Sequence, residues 1–310
     1  MPEFRFATNI FGLGSAAEFA ARCRRLEELG YHTVFAPDHL GIPAPFPVLV
    51  AAASATERLR VGTLVLNAPF WNPALLAREI ATTDILTGGR LEVGLGAGHM
   101  KWEFDAAGIQ WRPFGTRAAR LADLVAELPR FFDTDFDQLP AGISAPRPVQ
   151  RVGFGGSGPP LIIGGTGDRV LRIAARQADI VGVAGTYQIA GQPPGTFRLG
   201  TAAEADERVR FVRDAAGERA EHLEWQLLIQ AVVPTDDRRA EGRRLLRRFG
   251  DTMSLDELLD TPFLLIGTHQ QMAEQLRGHR ERYGFSYLAV HQPYQDDFAP
   301  VMAQLRSGQR

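Results

Sequence analysis

Three of the seven histidines stand just past apolar runs: His39 in HTVFAPDHLG, His99 in RLEVGLGAGHM and His291 in YLAVHQP. An imidazole with its ordinary pKa of about 6.5 exchanges a proton near neutrality, which makes these three the candidates for general acid and base. A loop-bracing hydrogen bond explains any one of them equally well; all three together point to function. Asp38, beside His39, could hold the loop or bias the imidazole. The same three histidines with Asp38 are metal-ligand types, but neither HxH nor HExxH spacing occurs, so no metal site is expected. No GxSxG is present, and Cys23, the one cysteine, falls inside an amphipathic helical pattern, which leaves a serine or cysteine nucleophile unsupported.

Two glycine-rich turns could hold a ligand rather than transform one. In LIIGGTGDRVLRIAARQAD (Leu161 to Asp179) an apolar strand runs through Gly164, Gly165, Thr166 and Gly167 straight into a helix. Backbone N–H groups can converge there on a phosphate at the helix N-terminus, and Arg169 and Arg172 follow; a tight turn without a ligand is the plainer explanation. GLGAG (Gly94 to Gly98) clears side chains from a second place, for a planar group or for close helix packing. Phe70, Trp71, Trp102 and Trp111 could wall an aromatic pocket or cover its top.

The elements that must carry these groups alternate between short Val/Ile/Leu/Phe runs and helical periods, the pattern of parallel βαβ units. The first unit has a strand at Phe4 to Ala7, then a helix capped by Ser15 with Glu18 three residues on, ending at Gly30. Further strands are expected at His32 to Ala36, Arg60 to Leu66, Arg90 to Gly96, Leu161 to Ile163, Ile180 to Val183, Leu223 to Val233 and Tyr287 to Val290. Eight strands with helices between them predict an α/β fold, a closed (β/α)8 TIM barrel; a doubly wound open sheet would leave more helices than its two faces need. The C-terminal ends of barrel strands carry active sites, and Asn9, Asp38, His39, Asn67, Gly96, Gly98, His99, the GGTG turn and His291 all fall there. His32, His222, His269 and His279 lie in helices or at the other rim and are expected to be solvated or capping. Pro140 to Pro160 (within 134–160), Thr186 to Gly200 and Asp251 to Pro262 read as loop insertions, each too long for a routine connection.

The 310 residues fit one barrel domain spanning 1–310 with those insertions. A net charge of −2 gives no basic footprint for nucleic acid, and a lone cysteine allows no intrachain disulfide. No export signal and no long apolar run is recognisable, which predicts a cytoplasmic protein without a membrane partner.

At this level the chain resembles the bacterial-luciferase-like flavin and deazaflavin oxidoreductases, and within them the class that uses coenzyme F420. The resemblance rests on FRFATNIFG, GYHTVFAPDHLG, RVGTLVLNAPFWNPALLAREIATTDILTGGRLEVGLGAG, the GGTG segment and IGTHQQMAEQLRGHRERYGFSYLAVHQP. It implies hydride transfer between the coenzyme's C5 and a small organic substrate, commonly in homodimers. It assigns Asp38 and His39 to the ring and to proton transfer, Leu64 and Val65 to a non-prolyl cis peptide against the ring's face, and Gly96, Gly98 and His99 to the loop after the fourth strand. Some relatives carry a glutamate or tryptophan where His99 stands. Gly164, Gly165, Thr166 and Gly167 match the phosphate-holding loop. FMN serves the same barrel with oxygen, a monooxygenase chemistry, whereas a deazaflavin is restricted to two-electron steps. The Asp38-His39 pair and the arginine-rich composition favour F420. A barrel that stores the coenzyme without turnover is the non-enzyme alternative, marked by a blocked or apolar chamber.

Overall fold

A computed structural model describes residues 2–136, 138–249 and 253–307. Thirteen strands occur among them: β1 (Arg5–Asn9), β2 (Thr33–Ala36), β3 (Arg60–Thr63), β4 (Leu66–Asn67), β5 (Leu91–Gly96), β6 (Leu161–Gly164) and β7 (Ile180–Val183). They continue with β8 (Thr186–Gln188), β9 (Phe197–Leu199), β10 (Glu224–Ile229), β11 (Ala231–Pro234), β12 (Leu264–Gly267) and β13 (Phe285–His291). The main sheet runs β3-β2-β1-β13-β10-β7-β6-β5-β4, and β3 also pairs with β5, which closes it into the TIM barrel. All its pairings are parallel. β2, β5 and β7 are buried along their whole length, because helices cover the barrel outside and side chains fill it inside.

The first helix starts and stops where the sequence predicts, and the same kind of signal recurs where it was not predicted. Ser15 and Glu18 form a reciprocal capping box on the helix Ala16–Leu29, and Gly30 ends it with φ +86°, which L side chains rarely adopt. Thr201, Ser254 and Thr268 cap three further helices in the same reciprocal way. Among the described residues no helix is long and apolar enough to cross a membrane.

Two strands differ from their sequence reading, and both differences shape the rim. The run Arg60 to Leu66 is not continuous: it breaks into β3 and β4 around a cis peptide between Leu64 and Val65. Thr63 replaces the interrupted ladder with its side chain, Oγ1 donating to Gly94 O at 2.9 Å and accepting from Gly94 N–H at 2.8 Å. The run Leu223 to Val233 breaks at Gln230, whose N–H donates to Phe263 O at 2.8 Å. Beyond it β11 leaves the barrel and pairs in parallel with β12, a strand the sequence reading lacked.

The insertions are partly ordered rather than plain loops. Thr186 to Gly200 holds the antiparallel hairpin β8–β9, and the third insertion contains the helix Leu255–Asp260; its Asp251 and Thr252 lie outside the described residues. The first insertion is docked by Asp84, whose carboxylate accepts from Val149 N–H at 2.7 Å and from the backbone and side chain of Gln150. Helices at Lys101–Ala106 and Gln295–Ser307 were likewise unforeseen. His279, expected at the surface, is only 8% exposed.

At the N-terminal end of the strands, away from the rim, buried Glu92 ties the barrel together. Its Oε1 accepts from Arg60 Nε at 2.8 Å and from Arg5, and its Oε2 from the Tyr287 hydroxyl at 2.7 Å. Arg5 also reaches Glu224 at 2.6 Å.

Candidate active site

The C-terminal ends of the strands surround a cavity of about 750 Å³. Every residue assigned from the sequence to catalysis or coenzyme lines it: Asp38, His39, Leu64, Val65, Asn67, Gly96, Gly98, His99, Gly164, Gly165, Thr166 and Gly167. Asn9 and His291 line it too. Among the described residues no three His, Cys, Asp or Glu side chains are grouped to hold a metal.

The imidazole of His39 has a partner that sequence reasoning missed. Its Nδ1 lies 2.7 Å from Oε1 of Glu103, a residue 2% exposed on the short helix after the fourth barrel strand. A carboxylate can only accept, so Nδ1 carries the proton and Nε2 is left for proton exchange. Asp38 does not orient this ring. Its Oδ2 accepts from Asn67 N–H at 3.1 Å and from Trp71 Nε1 at 2.9 Å, which pins the start of the loop after β4. Of the two roles open to Asp38 in the sequence, holding the loop is the one observed. Glu103 had one signal, a lone acid in the aromatic stretch KWEF just past His99, and nothing local connects it to a histidine 64 residues earlier.

His99 stands edge-on to His39, ring centroids 5.5 Å apart, and edge-on to Phe197 at 5.4 Å. Burial in the cavity wall, reinforced by His39 and by the Arg117 guanidinium, lowers its pKa to about 4. The neutral ring can brace His39 without competing for its charge. Arg117, also unforeseen, is 7% exposed; Nε donates to Arg112 O at 3.0 Å, Nη1 to Ala97 O at 3.3 Å and to Gly98 O, and its guanidinium lies 3.7 Å from the Trp111 ring centroid. It clamps the His99 loop from behind. Burial lowers its pKa to about 10, so it stays cationic at neutral pH.

The glycines divide into two kinds. At Gly94 a Cβ would meet Thr63 O at 2.2 Å, and at Gly96 it would meet Val65 Cγ2 at 2.6 Å. These two make room for the broken third strand. Gly164 differs: a Cβ there finds only ordinary contacts, 3.6 Å to Val65 and 3.7 Å to Gly182 O. The helix Asp168–Gln177 starts at Gly167 without any side-chain cap, so its first amides have no side-chain acceptor. Arg169 and Arg172, counted with this turn in the sequence, are exposed and do not line the cavity. Arg208 is closer, bonding Asp168 and donating to Thr166 O at 3.2 Å.

A flat tricyclic coenzyme fits these surroundings. Leu64 and Val65 offer an apolar wall, Gly164 an open backbone, and the helix start free donors for an anion.

Comparisons with known proteins agree with this geometry. A flavin-dependent trigonelline monooxygenase, oxygenase component, from Acinetobacter baylyi is 28% identical over 145 residues, covering 43% of this chain and 40% of that protein. An F420-dependent glucose-6-phosphate dehydrogenase from Amycolatopsis mediterranei is 31% identical over 192 residues, covering 57% and 55%. The chain thus spans about half the length of these relatives. An F420-dependent secondary alcohol dehydrogenase, solved with an F420-acetone adduct, superposes with a TM-score of 0.73 at 15% identity over 98% of this chain and 100% of that one, a likeness of fold. The luciferase-like monooxygenase family profile matches residues 7–253, most of the barrel and its rim, and the chain belongs to that family.

Proposed function

We propose that the chain is an F420-dependent oxidoreductase acting on a small organic substrate at a C=C, C=N or C=O bond or an alcohol carbon. The coenzyme, when bound, supplies two-electron hydride chemistry at its C5. Leu64, Val65, Asn67, Gly96 and Gly98 would hold the ring, and Gly164 to Gly167 its phosphate. The observation that carries the reading is the His39–Glu103 contact of 2.7 Å at the cavity wall. Reduction of a carbonyl or imine leaves an anion to be protonated, and oxidation of an alcohol needs a base. With Glu103 holding Nδ1–H, His39 Nε2 takes the proton in one direction, and the resulting imidazolium, stabilised by the carboxylate, returns it in the other. A cavity of about 750 Å³ with polar side chains supports turnover over storage.

An FMN-dependent monooxygenase is the second reading, favoured by the flavin-dependent relative. Titrating the purified protein with oxidised F420 and with FMN separates the two. Tighter F420 binding is the expected result; tighter FMN binding, with oxygen consumed on reduction, overturns it.

A further inference from the structure

The cavity has two unlike halves. The third, fourth and fifth barrel strands supply the broken strand, the glycines and the formally charged Glu103 and Arg117. The seventh, eighth and first supply Gln226, Gln230, His291 and Asn9, in which no formal charge occurs. The eighth strand lies across the ring from the fourth, so His291 faces the cavity from the side opposite Arg117.

This second wall has unused hydrogen-bonding capacity. Asn9 Nδ2 and His291 Nδ1 are 3.4 Å apart, and His291 Nε2 and Gln230 Oε1 are also 3.4 Å apart, both long against an ordinary 2.9 to 3.0 Å or so. Asn9 Oδ1 and Gln226 Nε2 have no partner, in residues 3% and 1% exposed. A buried acceptor and a buried donor left without partners destabilise the empty wall, and a ligand carrying both functions would satisfy them after small side-chain shifts. Burial keeps the His291 imidazole below its ordinary pKa and therefore neutral at physiological pH.

The charge count points the same way. The formally charged lining residues are Asp38, Glu103 and Arg117, and all three are engaged: Asp38 by Asn67 and Trp71, Glu103 by His39, Arg117 by carbonyls and Trp111. A phosphate or carboxylate entering against the Asn9–His291 wall would meet no cation there and would lose its hydration uncompensated.

We propose that Asn9, Gln226, Gln230 and His291 form the substrate-recognition wall, and that it takes an uncharged group with both donor and acceptor character, a hydroxyl or carboxamide, and turns away phosphorylated and carboxylate compounds. This rests on the coenzyme occupying the other half, as the functional reading has it.

The test is to soak crystals of the protein at molar concentration with propan-2-ol and acetamide, and separately with acetate and inorganic phosphate. His291→Leu serves as the matched variant, and F420 affinity is followed by fluorescence in solution for both proteins. The uncharged probes are expected against His291 and Gln230, and lost from that wall in His291→Leu while F420 affinity stays the same. Acetate or phosphate seated on the wall overturns the proposal, as does an empty wall in the uncharged soaks or their unchanged placement in His291→Leu. Failure of F420 to bind the wild-type protein would instead sink the coenzyme reading, whatever the probes do.

Discussion

Glu103 and His39 meet at 2.7 Å although they belong to different βα units, the acid on a helix after the fourth barrel strand and the imidazole on the loop after the second. The contact ties two rim loops together and fixes a single tautomer in the ring. Glu103→Gln leaves a hydrogen-bonding side chain but removes the charge that stabilises a protonated ring. Nitrogen NMR on selectively labelled histidine should show His39 predominantly in the Nδ1–H form in the wild type and a mixture of tautomers in Glu103→Gln. Turnover should fall by about 10² or more, with coenzyme affinity moved far less. An unchanged tautomer together with unchanged turnover would remove Glu103 from the proton path.

The roles of His39 and His99 separate by paired variants. His39→Ala should depress turnover by about 10² to 10⁴. His99→Phe keeps an aromatic ring against Phe197 and should cost much less, because a ring with a pKa of about 4 is already neutral at pH 7. Turnover abolished in His99→Phe but kept in His39→Ala would move the acid-base role to the fourth strand.

The phosphate turn can be probed at a position the barrel tolerates. Gly165 is a poor choice, since its Cβ would press on Val170 Cγ1 at 2.9 Å. At Gly164 a Cβ meets only ordinary contacts, so Gly164→Asp is the better variant for placing negative charge beside the helix start. Coenzyme affinity should drop about tenfold or more, equivalent to about 1.4 kcal/mol, while the thermal midpoint changes little. Equal affinities in the two proteins would put the anion elsewhere.

Glu92 should matter to folding and not to chemistry. Glu92→Ala removes the carboxylate shared by Arg5, Arg60 and the Tyr287 hydroxyl and leaves a buried gap between them, which should cost about 3 to 5 kcal/mol in urea unfolding. Burial alone would raise the Glu92 pKa, but Arg5 and Arg60 outweigh it and the carboxyl is held below its ordinary value. A depressed carboxylate stabilises above its unfolded pKa, and that contribution disappears as pH falls through the folded value. The gap between wild type and Glu92→Ala should therefore narrow in acid; a gap that widens there would contradict the network.

His279 supplies a second acid-sensitive element. Burial first, then Arg282 and Arg238, lowers its pKa from 6.5 to about 4, and its Nδ1 has no partner. The unfolded chain therefore binds a proton that the folded chain refuses between those two values, so stability declines as pH drops from 6.5 toward 4. His279→Leu should flatten that part of the thermal-midpoint profile. Identical profiles would place the acid sensitivity elsewhere.

The barrel was legible because its strands carry buried apolar runs and the first helix carries its own caps, Ser15 and Gly30. The breaks were not legible in the residue pattern itself. Thr63-Leu64-Val65-Leu66 reads by pattern as one uninterrupted strand; the family resemblance, and not the pattern, placed a cis peptide at Leu64 and Val65, where the structure has it, and the side chain of Thr63 meeting Gly94 shows where the ladder is handed over. Gln230 is one of three polar residues, with Glu224 and Gln226, in the run Leu223 to Val233, and its diversion depends on Phe263, a residue distant in sequence. The rim positions of Asp38, His39, His99 and the GGTG turn followed from the strand count. The pairing of His39 was hidden because contact between two βα loops leaves no periodic trace in either.

The bend at Gln230 gives the molecule a place to vary. One half of that run is fixed by the ring of the barrel, whereas the other pairs with β12 and packs against β13 and the helix Gln295–Ser307. Because Gln230 is the joint, a change in the setting of β12 would shift a cavity side chain without altering any pairing of the main sheet, within the limits set by Val232 and Leu264 to Ile266, which share the barrel's buried core. Diversification, whether by natural drift or by a directed library, can proceed there as small adjustments to one panel of a shared wall.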